Sequence, residues 1–435
     1  MSFTHCPPRA RNRRSFMFAL IDCNNFYAAC ERLFEPRLEG VPLGVLSNND
    51  GCVIARSEEF KALDIPMGIP THKIAPHLRR RIVLKSSNYT LYGDLSARVQ
   101  QVLAQQIPTL EPYSIDECFL DLRGMREDWH ALGATLVHSV QRQVGLPVSI
   151  GIAPTRTLAK LANRQAKTQP TRPQVCVWQS ADAPELAAHL ARLSPREVWG
   201  VGERLNARLA GMGIVTAAAL RETPDSVLRR RFSVVLARTA AELNGQACLS
   251  MGDLETPRRS ILCSRSFGQP LRDRASLAGA LRHHCQRAGE KLRRDAMQAS
   301  AIGVYMRTNP HHAGSFHQAC EWAALPFPSA DTQQLNRAAQ RLLARLWQPA
   351  AYQKLGVMLT ELTPRRQSQT TLFDGAEPAR QEALMHAWDT IRARYGRQAL
   401  TLGPQPADAP WQMNSAYRSA CYTTRWDELP RARAR

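Results

Sequence analysis

Tyr113-Ser114-Ile115-Asp116-Glu117-Cys118-Phe119 sets two adjacent carboxylates inside an otherwise strand-like run. Side by side on a strand, two acids ionise against each other, which costs free energy unless a cation lies between them. A third acid, Asp22, ends the wholly apolar run Phe16-Met17-Phe18-Ala19-Leu20-Ile21, which reads as a buried strand. Taken alone, these acids leave two readings open: a magnesium site, or strand-edge acids facing solvent. Magnesium takes few carboxylates and keeps positions for phosphate oxygens. Two such ions about 4 Å apart would activate a hydroxyl and steady a leaving pyrophosphate.

Working outward, Asn24 or Asn25 is placed to cap a helix that runs to Phe34. Residues 41–47 and 52–55 read as strands around the turn Asn48-Asn49-Asp50-Gly51, and 82–85 as a third. Leu91, Leu95, Val99 and Leu103 share one face of a helix over 88–106. A further helix covers 126–144, a strand 148–152, and Pro154 opens a helix to Ala166. This alternation predicts a small α+β sheet with helices on one face. Residues 168–183, rich in Pro, Thr and Gln, read as a connector, and 184–251 as all helical. In that helical part Gly200, Gly202, Gly211 and Gly213 flank a helix. Such glycines belong to an ordinary helical hairpin or to a turn whose backbone N–H groups approach a phosphate.

The formal net charge of +20 favours the second reading and points to a polyanionic partner. After a linker at 252–260, the order of strands and helices over 261–363 predicts a βαββαβ unit, a four-stranded sheet backed by two helices. Arg265, Arg293 and Arg294 stand in its arginine-rich first part and are candidate DNA contacts. Residues 364–435 read as an interaction tail. At 435 residues the chain has room for two to four domains. No apolar run reaches the roughly 18 residues that a membrane span needs. Residues 1–16 form a basic extension without a signal-peptide core, so a cytoplasmic, nucleoid-associated location is expected. The cysteines contain no CxxC, and His311, His312, His317 and Cys320 match no standard zinc spacing.

Several motifs carry a family resemblance. Asp22 with Asn24-Asn25-Phe26-Tyr27, Tyr113-Ser114-Ile115-Asp116-Glu117, and Gly151-Ile152-Ala153-Pro154-Thr155 followed by Leu158-Ala159-Lys160-Leu161-Ala162 resemble the Y-family DNA polymerases. The segments Leu46–Arg56, Ser86-Ser87-Asn88-Tyr89, Cys263–Gly268 and Tyr422-Thr423-Thr424-Arg425 narrow this to the UmuC-type catalytic subunit of bacterial DNA polymerase V. The resemblance implies an error-prone translesion polymerase of the SOS response working by two-metal-ion nucleotidyl transfer. It implies a right-hand fold: palm at 17–46 and 87–167, fingers at 47–86, helical thumb with a helix-hairpin-helix at 184–251, and little finger at 261–363.

By the same resemblance, Asp22, Asp116, Glu117 and the backbone carbonyl of Cys23 hold two Mg²⁺ ions, with deoxynucleoside triphosphates as substrates. Tyr27 matches the steric gate that excludes a 2′-hydroxyl, which leaves Phe26 as a core aromatic. Lys160 matches a triphosphate contact. Arg156, Arg164 and Lys167 fall near the same helix face and extend a phosphate-facing stripe. Where many relatives carry an Asn-Tyr…Arg finger contact, this chain has Ser57-Glu58-Glu59-Phe60-Lys61. Lys61 aligns best with that arginine, and Arg56 is a second candidate. Gln369, Leu372 and Phe373 resemble a peptide for the beta sliding clamp. Primer-template DNA, a cleaved UmuD-type dimer and the RecA filament are the further implied partners, with no membrane. A non-catalytic DNA- and clamp-binding scaffold and a palm-domain nucleotidyl cyclase are the competing readings. Intact carboxylates with Lys160 weigh against the scaffold, and the duplex-binding elements weigh against the cyclase.

Overall fold

The computed structural model describes residues 17–125, 128–169, 173–252, 258–310, 316–365, 377–404 and 409–429. The chain divides into two units. One comprises Met1–Ser47, Cys52–Thr256 and Tyr417–Arg435; the other comprises Asn48–Gly51 and Pro257–Ala416.

The first unit begins with β1 (Phe18–Cys23), α1 (Phe26–Phe34), β2 (Leu43–Leu46), β3 (Val53–Arg56), α2 (Glu58–Lys61), α3 (Pro76–Arg79) and β4 (Val83–Ser86). It continues through α4 (Tyr89–Ala104), β5 (Leu110–Pro112), β6 (Glu117–Asp121), α5 (Trp129–Gln143), β7 (Val148–Ala153), α6 (Arg156–Thr168) and β8 (Val175–Val177). Its main sheet has the order β5-β6-β1-β7-β8. Strand β1 lies at the centre, antiparallel to β6 and β7.

Helices cover both faces of this sheet, which corrects the expectation of one. Ala19, Ile21, Leu120 and Ile150 pack with α4 and α5, while Phe18, Leu20 and Phe119 pack with α6. The unbroken apolar run Phe18–Ile21 of β1 is the physical reason, since alternate side chains on a strand point to opposite faces. Gly151 lets α6 approach the sheet: a Cβ there would lie 2.0 Å from the Asn163 nitrogen and 2.3 Å from the Ala159 carbonyl oxygen. Asn163 ties α6 to the sheet, donating to the carbonyls of Leu20 at 3.1 Å and Ser149 at 2.7 Å. The hydroxyl of Thr155 accepts from the Leu158 N–H and caps α6.

The segment expected as a connector supplies β8, which pairs parallel to β7 at the sheet edge. Its three residues, Val175-Cys176-Val177, are too short a run to read as a strand against the surrounding polar sequence. A second sheet, β3-β2-β4, encloses Phe60, Ile65 and Ile74. The helical part comprises α7 (Pro184–Arg192), α8 (Glu203–Ala210), α9 (Ala217–Glu222), α10 (Asp225–Arg231) and α11 (Val234–Leu243). Buried Glu242 of α11 accepts from the Thr157 N–H at 2.9 Å and its hydroxyl at 2.5 Å, fixing α11 to α6.

The second unit contains β9 (Ser260–Leu271), α12 (Arg274–Arg294), β10 (Met297–Thr308), β11 (Gln318–Ser329), α13 (Thr332–Leu346) and β12 (Tyr352–Pro364). The strands form an antiparallel sheet of order β11-β10-β12-β9. Ile302, Val304, Leu355 and Val357 bury one face against Leu281, Leu292, Leu335 and Leu342 of the two helices.

Beyond 364, residues 377–404 and 409–429 carry more structure than their composition implies. Helix α14 (Glu377–Tyr395) buries Met385 and Trp388 in the second unit. Residues 417–429 return to the first unit, where Tyr422 stacks on Phe34 with ring centroids 4.8 Å apart. Single aromatics spread through a polar sequence give no periodic signal, so this docking was not legible.

Candidate active site

The carboxylates gather at one end of the main sheet. Asp22 lies directly opposite Glu117 in the β1–β6 ladder, and the Cys23 N–H donates to the Asp116 carbonyl at 2.9 Å. Asp116 sits at the bend before β6, where its Oδ1 accepts from the Ser114 hydroxyl at 2.5 Å. Helix α6 meets these acids with two lysines. Lys167 Nζ lies 2.7 Å from Asp22 Oδ1, and Lys160 Nζ donates to Glu117 Oε1 at 2.6 Å. The ammonium of Lys160 also lies 4.6 Å from the centre of the Tyr113 ring and 5.9 Å from that of Trp199. Burial pushes the Asp22 carboxyl up to about 6, with Lys167 opposing and Glu117 and Asp116 adding to the rise.

Among the described residues, no three His, Cys, Asp or Glu side chains converge closely enough to enclose a metal ion. Two of the carboxylates are turned onto lysines instead. The donor set nevertheless suits a hard dication. It is all oxygen, its like charges crowd together, and burial penalises the charge of Asp22. The cationic partners that the structure supplies to Asp22 and Glu117 are the protein's own substitute for such a charge.

Phe26 is buried in the core, whereas Tyr27 is partly exposed. Tyr27 lies flat on buried Tyr92, with ring centroids 4.5 Å apart and planes at 18°. A cleft of about 890 Å³ is lined by Asn24, Asn25, Glu58, Lys61, Arg164 and Lys167 but by none of the three acids, and Lys167, which pairs with Asp22, is its link to them. Lys61 reaches it paired to Glu58 at 2.8 Å. Arg56 does not, because its guanidinium donates to the Ile65 carbonyl at 2.7 Å. Arg156 also leaves the phosphate stripe. It is fully buried, pairs with Glu111 at 3.0 Å and lies over the Phe119 ring. Arg164 pairs with Glu197 at 2.8 Å.

The glycine turns behave as openings. Gly200 and Gly213 have positive φ, and a Cβ at Gly200, Gly202 or Gly213 would meet nothing within 4 Å. A Cβ at Gly211 would contact backbone carbonyls of Ala207 and Arg208 no closer than 3.5 Å. Gly211 and Gly213 lie between α8 and α9, while Gly200 and Gly202 lie between the short 3₁₀ turn Pro195–Glu197 and α8.

In the second unit, two of the three candidate arginines are engaged within the protein. Arg293 is bound by Asp389 at 2.6 Å, the Ala330 carbonyl and Thr332. Arg265 lies on the same strand face as core residues Cys263 and Phe267, so it faces the helices, half-buried beside His283 and Arg287. Arg294 is exposed, with Asp295 at 3.1 Å. The sheet face away from the helices carries Tyr305, Arg307 and Lys354 instead. Strand alternation held the signal for these, but arginine density drew attention to the helix. The clamp-type residues Gln369, Leu372 and Phe373, and His311 and His312, lie outside the described residues.

The impB/mucB/samB family matches residues 21–164, its C-terminal domain matches 258–372, and a domain of unknown function matches 382–432. Protein ImpB of Salmonella typhimurium is 39% identical over 96% of this chain and its own full length. Protein UmuC of Salmonella typhimurium strain LT2 is 38% identical over 96% of this chain and its own full length. DNA polymerase IV 1 of Bacillus subtilis strain 168 is 25% identical over 88% of this chain and 91% of its own. With the acids, the lysines of α6 and near-complete coverage of these relatives, the chain belongs to the impB/mucB/samB family, the UmuC-type branch of the Y-family DNA polymerases.

Proposed function

We propose that this polymerase performs translesion synthesis in the SOS response, adding deoxynucleotides opposite damaged template bases by two-metal-ion nucleotidyl transfer. The observation that carries the mechanism is the pairing of Asp22 opposite Glu117, each met by a lysine of one helix. Asp22, Asp116, Glu117 and the Cys23 carbonyl would hold two Mg²⁺ ions, which when bound activate the primer hydroxyl and neutralise the leaving pyrophosphate. Lys160 and Lys167 are the cations placed to receive triphosphate oxygens, and Lys61 approaches from the cleft wall. Tyr27, partly exposed and backed by Tyr92, is the residue that would exclude a 2′-hydroxyl sterically.

In this reading residues 17–46 and 87–167 form the palm, 47–86 the fingers, 184–251 the thumb and 261–363 the little finger. The open turns at Gly200, Gly202, Gly211 and Gly213 receive the DNA backbone, and Arg294, Arg307 and Lys354 add charge to the grip. A UmuD-type dimer, the RecA filament and the beta clamp are proposed partners in the nucleoid. Among the described residues, no helix is long and apolar enough to cross a membrane.

Primer extension on damaged and undamaged templates, with magnesium, the dimeric partner and activated RecA, tests this. Asp116→Ala is expected to abolish extension on both templates. Extension that survives the change rejects the metal assignment.

A further inference from the structure

The C-terminal domain of unknown function has one part, residues 417–429, in the first unit. This part docks on a specific face of α1. Tyr27, Glu31 and Phe34 are spaced to lie along one face of that helix. Each is held by a partner outside it. Tyr422 stacks on Phe34, and Tyr92 stacks on Tyr27. Between them, Glu31 is fully buried, and its Oε1 accepts from the Tyr92 hydroxyl at 2.7 Å and the Ser419 hydroxyl at 3.0 Å.

Ser419 is itself fixed. The side-chain amide of Asn88 donates to the Ser419 carbonyl at 3.0 Å, its hydroxyl at 3.1 Å and the Ala420 carbonyl at 3.1 Å. The Tyr417 N–H donates to the Ser86 hydroxyl at 2.9 Å, and Ser86 forms a parallel bridge with Arg418. Asn88 also caps α4 through the Leu91 N–H, so the residue that seats the C-terminal segment also starts the helix bearing Tyr92.

A continuous chain of contacts therefore runs from Ser419 through Glu31 and Tyr92 to the face of Tyr27. A buried carboxyl leaves little freedom in such a chain, because each hydrogen bond lost strands a desolvated polar group. Among the described residues Glu31 Oε2 already lacks a hydrogen-bond partner, and burial pushes this carboxyl up.

We propose that the C-terminal segment around Ser419 is a positioning element for sugar selection, holding Glu31 and Tyr92 so that Tyr92 backs the Tyr27 ring. The proposal rests on the reading of Tyr27 as the steric gate. Discrimination by a steric gate depends on the ring not yielding, so a ring with a loosened backing admits a 2′-hydroxyl that a fixed ring rejects. Ser419, Glu31 and Tyr92 act through Tyr27 and do not themselves touch substrate.

The test compares incorporation of ribonucleotides and deoxynucleotides by the full complex on an undamaged template, with kcat and KM measured separately. The variants are Ser419→Ala, Tyr92→Phe, Tyr27→Ala and the double variant Tyr27→Ala/Ser419→Ala. Ser419→Ala and Tyr92→Phe are expected to lower deoxynucleotide preference by about three- to tenfold, in line with the loss of one hydrogen bond. Adding Ser419→Ala to Tyr27→Ala should lower it no further. A general loss of fold would reduce both rates and leave their ratio intact. If both single changes keep the ratio while Tyr27→Ala collapses it, the backing role is overturned and the gate stands. If Tyr27→Ala also keeps the ratio, the gate reading itself falls, and the backing role with it.

Discussion

Arg156 shows how one residue can carry a family-like signal and do something else. It shares a helix with Lys160 and Lys167, yet its guanidinium is inside the protein, against Glu111, the Ser250 carbonyl and the Phe119 ring. Glu111 in turn accepts from the Gly252 N–H at 2.7 Å. Replacing one member of a buried pair leaves the other charge uncompensated. Arg156→Met is therefore expected to lower stability by about 3–5 kcal/mol, read from urea unfolding. A loss below about 1 kcal/mol would place the pair in water. The acids and Lys160 stand out at this scale because they lie in short motifs, and the structure brings Glu117 opposite Asp22 and within reach of Lys160. Lys167 stood out only as part of a stripe, since its partner Asp22 lies far away in the sequence, on β1. The burial of Arg156 was not legible, because a charge on a helix reads as solvated until the neighbouring segment is known.

At the scale of elements, β7 and α6 form the frame of the site. Gly151 is spaced so closely to the α6 backbone that a methyl group has no room. The obstacle is main chain, which cannot swing aside as a side chain does. Gly151→Ala should force β7 and α6 apart and destabilise the chain by more than the 1–3 kcal/mol usual for overpacking. A melting temperature within a degree or two of the parent would show that α6 can shift freely. Strands and helices with clear periodicity were readable, including the βαββαβ order and the long helices. What escaped were β8, with three residues, and the docked end of the chain. Both owe their structure to tertiary pairing instead of local pattern. The double coverage of the main sheet was written in β1, whose residues are apolar on both faces.

For the whole molecule, acid sensitivity follows from the second unit. Burial holds His284 down at about 3, and burial with Arg265 and Arg287 holds His283 at about 4. Both lie below the ordinary value of 6.5, so between these limits the unfolded chain binds more protons than the folded one. Their neutral form stabilises the fold fully above pH 6.5, and that stability is lost as pH falls toward about 4 and then 3. The melting temperature of the full chain should drop over this window, and His284→Leu should flatten the drop. An equal drop in both proteins would assign the acid sensitivity to other groups. The basic charge was legible as a polyanion signal, but the surface presenting it was not. Arg265 and Arg293 turn inward, and the exposed sheet face is populated by residues chosen by strand alternation. Finally, the close seat of α6 on Gly151, reinforced by Asn163, sets a mechanical property. The spacing between Asp22 and the two lysines is inherited from main-chain contact, so it has the stiffness of a backbone and not of a side-chain layer. Amide hydrogens along β1, β7 and the middle of α6 should then exchange with solvent only on global unfolding, while the cleft wall at α2 exchanges freely.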